Sequence, residues 1–338
     1  MPYAAVRVLP YLALTVLAAC AKDAPRDAAT DATPTPAVTV LPANVATRTL
    51  AEIGDSASRI EGIALHDGKL YVADWKDGAI YRIDPSDGTP VKVGALPTAP
   101  NAAILGLVTD AAGNLYAAMP DSGIIYRVAA ARLGAAGFDA AKDVTTFATG
   151  AKGANGLTFD AQGHLWISGG DAGALYHVGP DGGAATVFAS GYAPVSSDTA
   201  MPVRAYVVNG AAIDSKGFIY TANTGSGTIT KLEIKPDFTV GAITTLVADA
   251  RLLGADGLAM GTGDTLWVTA NFRNTLAKVA PDGSVSLVAM ETTAGGALRF
   301  PAELKVAGTS IYIANLNFPM GSNAGSAPGA TVAAVEVN

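Results

Sequence analysis

Four oxygen-bearing side chains occupy one repeated position in this chain. Glu61, Asn155, Asn209 and Asp256 each stand immediately before a Gly-apolar pair: Gly62-Ile63, Gly156-Leu157, Gly210-Ala211 and Gly257-Leu258. Two further copies of the position carry Leu105, before Gly106-Leu107, and Ala302, before Glu303-Leu304. Taken singly, Asn-Gly and Asp-Gly are ordinary turn dipeptides. At one register, ahead of apolar strands in separate repeats, they read as a set that converges. Two carboxylates meeting in low-dielectric surroundings repel unless they are protonated or neutralised. Two carboxylates with two amide carbonyls suit one divalent cation. Ca²⁺ is the first choice, because it takes oxygen ligands in flexible geometry and keeps positions for water or substrate. Mg²⁺ or Mn²⁺ would also be accommodated. Zn²⁺ fits poorly, since neither His nor Cys enters the set.

Side chains so distant in the chain meet only if a repeating architecture carries them, and a repeat is visible. Asp110-Ala111-Ala112-Gly113-Asn114-Leu115-Tyr116 returns as Asp160-Ala161-Gln162-Gly163-His164-Leu165-Trp166 and as Asp214-Ser215-Lys216-Gly217-Phe218-Ile219-Tyr220. Degenerate copies end at Tyr71, Trp267 and Tyr312. Each is a Gly-containing turn leading into an apolar–aromatic strand, and they recur about every 45–55 residues. Around the first copy, residues 62–65, 70–73, 79–83 and 90–93 alternate as four short strands, the content of one propeller blade. The expected fold is therefore an all-β, six-bladed β-propeller with four antiparallel strands per blade. Its start residues would surround one axial tunnel mouth. The sixth repeat shows only three strands, and residues 46–53 are expected to supply the missing outer one. That closes the ring and leaves no open sheet edge. A β-sandwich with regular turns is the competing architecture, and the six-fold spacing argues against it.

Composition agrees. Half of the 338 residues are hydrophobic, 15% are charged, and 38 are glycine, which favours turn-rich β structure over helices. The formal charge of −7, with no basic block, speaks against nucleic-acid binding. The one cysteine is informative. Arg7 precedes an apolar run too short to span a bilayer comfortably, closing in Leu17-Ala18-Ala19-Cys20. This resembles a bacterial lipobox. Residues 1–19 are then a lipoprotein signal peptide, with Cys20 the lipidated residue. Residues 20–44, rich in Ala, Asp, Thr and Pro, form a flexible tether, and residues 45–338 form the propeller. The expected location is the bacterial envelope, lipid-anchored in the outer membrane and facing the periplasm, with the lipid as the only membrane contact.

On the motifs around Glu61, Asn155, Asn209 and Asp256 the chain resembles the regucalcin/gluconolactonase/luciferin-regenerating-enzyme-like group of six-bladed propellers. The squid phosphotriesterase and the paraoxonases are more distant members of that circle. The resemblance spans about residues 55–320. It implies that these four residues bind one divalent ion, usually Ca²⁺, and that Asp256 serves as catalytic base or nucleophile. The implied activity is metal-dependent hydrolysis, the opening of a lactone or related ester whose carbonyl the ion polarises. The competing expectation is a non-catalytic, envelope-anchored propeller of the NHL type, binding a ligand or protein around a structural metal.

Loops on the metal side should supply a small-molecule pocket. From those following each second strand the candidates are Trp75, Asn271, Arg273 and Phe318, together with Asp74, Asp171, Asn223 and Asn315. From the connection opening the fourth repeat they are Arg204 and Tyr206. The long connection over residues 190–207 is a candidate lid, and residues 129–143 read as an outer insert. His66, His164 and His177 read as packing residues away from the site.

Overall fold

The computed structural model describes residues 45–134, 137–192, 206–292, 295–325 and 329–337. Six antiparallel sheets follow one another along the chain. From innermost to outermost strand, blade one runs Ile63–His66, Lys69–Ala73, Ala79–Ile83 and Pro90–Ala95. Blade two runs Leu107–Thr109, Leu115–Met119, Ile124–Val128 and Val144–Thr149. The innermost strands of successive blades touch, and that of blade six, Pro301–Ala307, touches that of blade one, so the sheets close into a ring.

Closure is made by the two ends of the folded domain. Ala46–Ile53 is the outermost strand of blade six, antiparallel to Ala330–Glu336 from Ala46↔Glu336 to Ile53↔Ala330. Blade six is thus assembled from both ends of the domain, as the three-strand sixth repeat requires. One addition was not expected: Gly183–Ala184 pairs in parallel with the outer strand of blade two, which becomes five-stranded.

The repeated turn has a local cause. Asp110 accepts hydrogen bonds from the backbone N–H of Ala112 and Asn114 and from the Tyr116 hydroxyl. Asp160 does the same for Gln162, His164 and the Trp166 indole, and Asp214 for Lys216, Phe218 and the Tyr220 hydroxyl. One carboxylate therefore satisfies two turn amides and the polar tip of the aromatic six residues on. The ring of that aromatic can then be buried without an unpaired donor.

The glycines after the start residues are a matter of close approach. A Cβ on Gly106 would collide with the carbonyl oxygen of Asn155, and one on Gly210 with that of Asp256. Adjacent blades therefore meet backbone to backbone at the axis, and this fixes the side chain before each glycine toward the tunnel mouth.

The insert at residues 129–143 contains two short helical turns, Ala130–Arg132 and Ala140–Asp143. Phe138 donates its N–H to Val93 O (2.8 Å) and packs over Gly94 on the outer strand of blade one. The insert thus braces blade two against its neighbour.

Candidate active site

Glu61, Asn155, Asn209 and Asp256 line a single cavity at the tunnel mouth, and each is 4% exposed or less. Leu105 completes blade two's share of the wall. The cavity offers about 80 Å³ to water-sized occupants, enough for an ion with a few waters or a small reacting group. A bulky ligand would extend beyond it.

The chain's own hydrogen bonds leave acceptors over. Thr224 donates its hydroxyl to Ala255 O (2.8 Å), so toward Asn209 it can only accept, and Asn209 Nδ2 donates to it at 2.9 Å. This fixes the amide and leaves Asn209 Oδ1 buried with no partner. Glu61 Oε2 is likewise buried and unpartnered. Asn271 Nδ2 donates to Asp256 Oδ2 at 2.8 Å, orienting that carboxylate, and leaves its own Oδ1 unpaired. Buried orphan acceptors are costly and call for a cationic or donor partner. Among the described residues no three His, Cys, Asp or Glu side chains group as a metal site, because amides supply half of this oxygen set. Those oxygens fit a hard divalent cation.

The electrostatics agree. Burial pushes the Glu61 carboxyl well above its ordinary range, and the charges of Asp256 and Glu303 push it further. Burial also raises Asp256, with Glu303 adding to the rise, against the hydrogen bonds from Asn271 and Asn209. Burial and the carboxylates of Glu61, Asp171, Asp256 and Asp121 lift the Tyr206 phenol to about 12, so it faces the cavity as a neutral hydroxyl.

Glu303 was not anticipated as a site residue. It stands where the other blades have glycine, is buried, and pairs with Lys305 at 2.8 Å. Lys305 lines a second cavity, formed by the far ends of the innermost strands with Leu65, Val108, Thr158 and Met260. The pair thus links the two cavities: the charge of Glu303 acts on Glu61 and Asp256, and Lys305 lines the second cavity. The signal was the break in the Gly pattern at blade six.

Of the loop candidates, Trp75, Tyr206, Asn271 and Phe318 line the site cavity. Arg273 does not. It ends the turn Asn271–Arg273, and that tight turn sends Asn271 inward and Arg273 to the exposed surface, where its charge acts on Asp249. Asp74, Asn223 and Asn315 are turn clamps instead of cavity residues. Asp74 accepts from the backbone of Arg59 and Lys76, Asn223 from Ser226, and Asn315 from Arg299. Asp171 does not line the cavity, and its charge acts on Tyr206. Arg204, the bulk of the candidate lid, Cys20 and the tether lie outside the described residues. His164 pairs with Asp160 and His177 stacks on Phe238, away from the cavity.

Thr224, Phe272, Phe300, Leu316 and Met320 also line the cavity and were not singled out from sequence. Thr224 and Leu316 immediately follow second strands and Phe272 lies in the turn after one, so their position was a signal. Phe300 and Met320 carried none.

No protein-family model matches the chain, and no curated protein matches it. Solved structures do. A luciferin-regenerating enzyme aligns at TM-score 0.64 and 14% identity over 87% of this chain and 95% of its own. A gluconolactonase from Xanthomonas campestris aligns at 0.61 and 16%, over 88% and 91%. A virginiamycin B lyase from Staphylococcus aureus aligns at 0.54 and 16%, over 80% and 82%. At these identities the likeness is one of fold, and these neighbours carry more than one chemistry on it.

Proposed function

We propose that this protein is a divalent-metal-dependent hydrolase of lactones or related esters, with Glu61, Asn155, Asn209 and Asp256 holding one ion, Ca²⁺ in the first instance. The observation that carries this reading is the pair of orphaned buried acceptors, Glu61 Oε2 and Asn209 Oδ1, in the cavity that also holds Asp256. The fold it shares with a gluconolactonase supports the reaction class.

When bound, the ion supplies Lewis-acid polarisation of the ester carbonyl. The chain's residues do the rest. Asn271 holds the Asp256 carboxylate in one orientation, so that it can meet a water at the cavity mouth as general base, within the limits that metal binding would set on its basicity. Asp256 takes the proton as water adds to the carbonyl carbon. The ester C–O bond then breaks, the alkoxide leaving group takes that proton back, and hydroxy-acid carboxylate is released with one proton to solvent. Thr224 keeps Asn209 from flipping its amide nitrogen toward the ion. Tyr206, held neutral, offers a hydroxyl to the substrate.

A panel of lactones and esters, assayed with and without EDTA on wild type and Asp256→Ala, tests the proposal. Turnover that depends on the metal and on Asp256 is expected. Turnover indifferent to both sinks it. The small free volume favours one second reading, an ion that is purely structural in a binding module. Ca²⁺ binding with no turnover on any member of the panel would select it. We further propose that Cys20 anchors the chain in the envelope, and Cys20→Ser is expected to move it from the membrane to the soluble periplasmic fraction.

A further inference from the structure

We propose that the substrate of this site has an apolar body, an alkyl- or aryl-substituted lactone or ester, and is not a polyhydroxylated sugar lactone; this rests on the hydrolase reading above. The cavity wall is divided. Blades three and four contribute Asn155, Tyr206, Asn209 and Thr224. Blades five, six and one contribute, beside Asp256, Asn271 and Glu61, an apolar set of Phe272, Phe300, Leu316, Phe318, Met320 and Trp75, contiguous around the ring. Within this crescent the rings touch in sequence: Phe272 to Phe300 at 5.5 Å, Phe300 to Phe318 at 5.6 Å, and Phe318 to Trp75 at 6.1 Å between centroids.

Three features make the crescent a binding wall for carbon. First, Trp75 donates its indole N–H to Ile104 O at 2.7 Å, so it presents the cavity with a face and no free donor. Second, Phe300 is held at φ 55 while Asn274 Oδ1 accepts its backbone N–H at 2.8 Å. A bulky side chain in the left-handed region is an outlier that the surroundings must impose, and here it sets a phenyl ring into the cavity wall. Third, the amide donors nearest the oxygen set are already used, and the side chains of the crescent offer a substrate no free hydroxyl, amide or charge. Asn209 Nδ2, Thr224 and Asn271 Nδ2 are engaged with one another or with Asp256 and Ala255. Among the described residues the only charged side chains lining the cavity are Glu61 and Asp256. A sugar lactone would leave those of its hydroxyls that face the crescent against aromatic carbon without partners, which is unfavourable. An alkyl or aryl ester sets its carbonyl toward the oxygen set and its tail along the crescent. Because the inner cavity is small, the tail extends outward over half-buried Phe318, Met320 and Trp75.

The test is a substituent ladder on the Ca²⁺-loaded protein: γ-butyrolactone, γ-hexalactone and γ-nonalactone, with glucono-δ-lactone as the polar comparison. Affinity for the same ladder is measured on Asp256→Asn by calorimetry, independently of turnover. Burial of a methylene raises kcat/KM and affinity about fourfold each until the crescent is filled, so γ-nonalactone should exceed glucono-δ-lactone by at least about 100-fold. Phe318→Ser should flatten the ladder and Phe318→Leu should keep most of it. Met320→Ser, on the rim, provides the same reading should Phe318→Ser fail to fold. Turnover that ignores chain length, or that prefers glucono-δ-lactone, overturns the apolar class and leaves the hydrolase standing. A ladder in affinity without turnover keeps the apolar class and removes the hydrolase. No ladder and no turnover removes both.

Discussion

The two mouths of the axial tunnel are built from the same six strands, yet only one of them could do chemistry. At the mouth formed by strand starts, Glu61, Asn155, Asn209 and Asp256 face a cavity under an aromatic wall. At the mouth formed by strand ends, Leu65, Val108, Thr158 and Met260 surround Lys305, which is already paired with Glu303. One end keeps its charges uncompensated and its acceptors open. The other pairs its charge internally. A propeller thus separates the two demands along one axis: a polar site with open acceptors at one face, and at the other a cavity whose charge is paired internally.

Sharpest among the ways to break this contrast is Asp256→Ala. It is expected to lower kcat/KM by about 10³-fold in a lactone assay, whereas Asp160→Ala, in a turn clamp, leaves kcat/KM within about twofold and costs about 1–3 kcal/mol of stability in urea unfolding. Equal loss of activity in both variants would erase the distinction. Next in size is the Glu303–Lys305 pair. Lys305→Met leaves Glu303 buried without its partner and is expected to cost about 3 kcal/mol, read from the denaturant midpoint, with the double variant Glu303→Leu/Lys305→Met recovering most of it. Smaller again is Thr224→Val. It frees the Asn209 amide to flip, and weakens Ca²⁺ binding about tenfold by calorimetry with little change in fold.

The smallest expected effect is the pH response of the metal-free protein. Burial raises Asp256 from its ordinary 3.8 to about 7, and Glu61 and Glu303 are raised as well. Folded-state values above unfolded ones mean that these groups favour the folded state most when protonated. Their contribution is complete below pH of about 4 and is lost as pH rises through about 7. In EDTA the Tm should therefore fall by a few degrees over that window, and saturating Ca²⁺ should remove the fall. Ca²⁺ affinity should rise across the same window, because the ligands bind deprotonated. A Ca²⁺ effect on Tm that does not grow with pH would count against carboxylate ligation.

Much of the architecture was legible because its causes are local. The Asp-to-aromatic turn is a closed hydrogen-bonded unit within seven residues, so Asp110, Asp160 and Asp214 announce themselves wherever they recur. The axial register was legible for a similar reason. Gly106 and Gly210 are required by backbone approach between blades, and a residue adjacent to such a glycine has one direction left for its side chain. The turn after the second strand of blade five was harder. Asn271 and Arg273 are two residues apart with equal claims on paper, and only the tight turn separates the inward from the outward one. The aromatic crescent was least legible. Trp75 and Phe318 could be proposed from loop position, but Phe272, Phe300 and Met320 gain their role only by standing next to them across three blades.

By itself the sequence determined the number of blades, the strand that closes the ring, and the four oxygen-bearing positions on its axis. These follow from turn chemistry and backbone packing that repeat with the chain. The tertiary structure alone decided which acceptors remain unpaired, that Glu303 is buried against Lys305, and that aromatic residues of blades five, six and one join into one wall. Those properties depend on which neighbours a side chain meets from other blades, and no spacing within a single repeat encodes them.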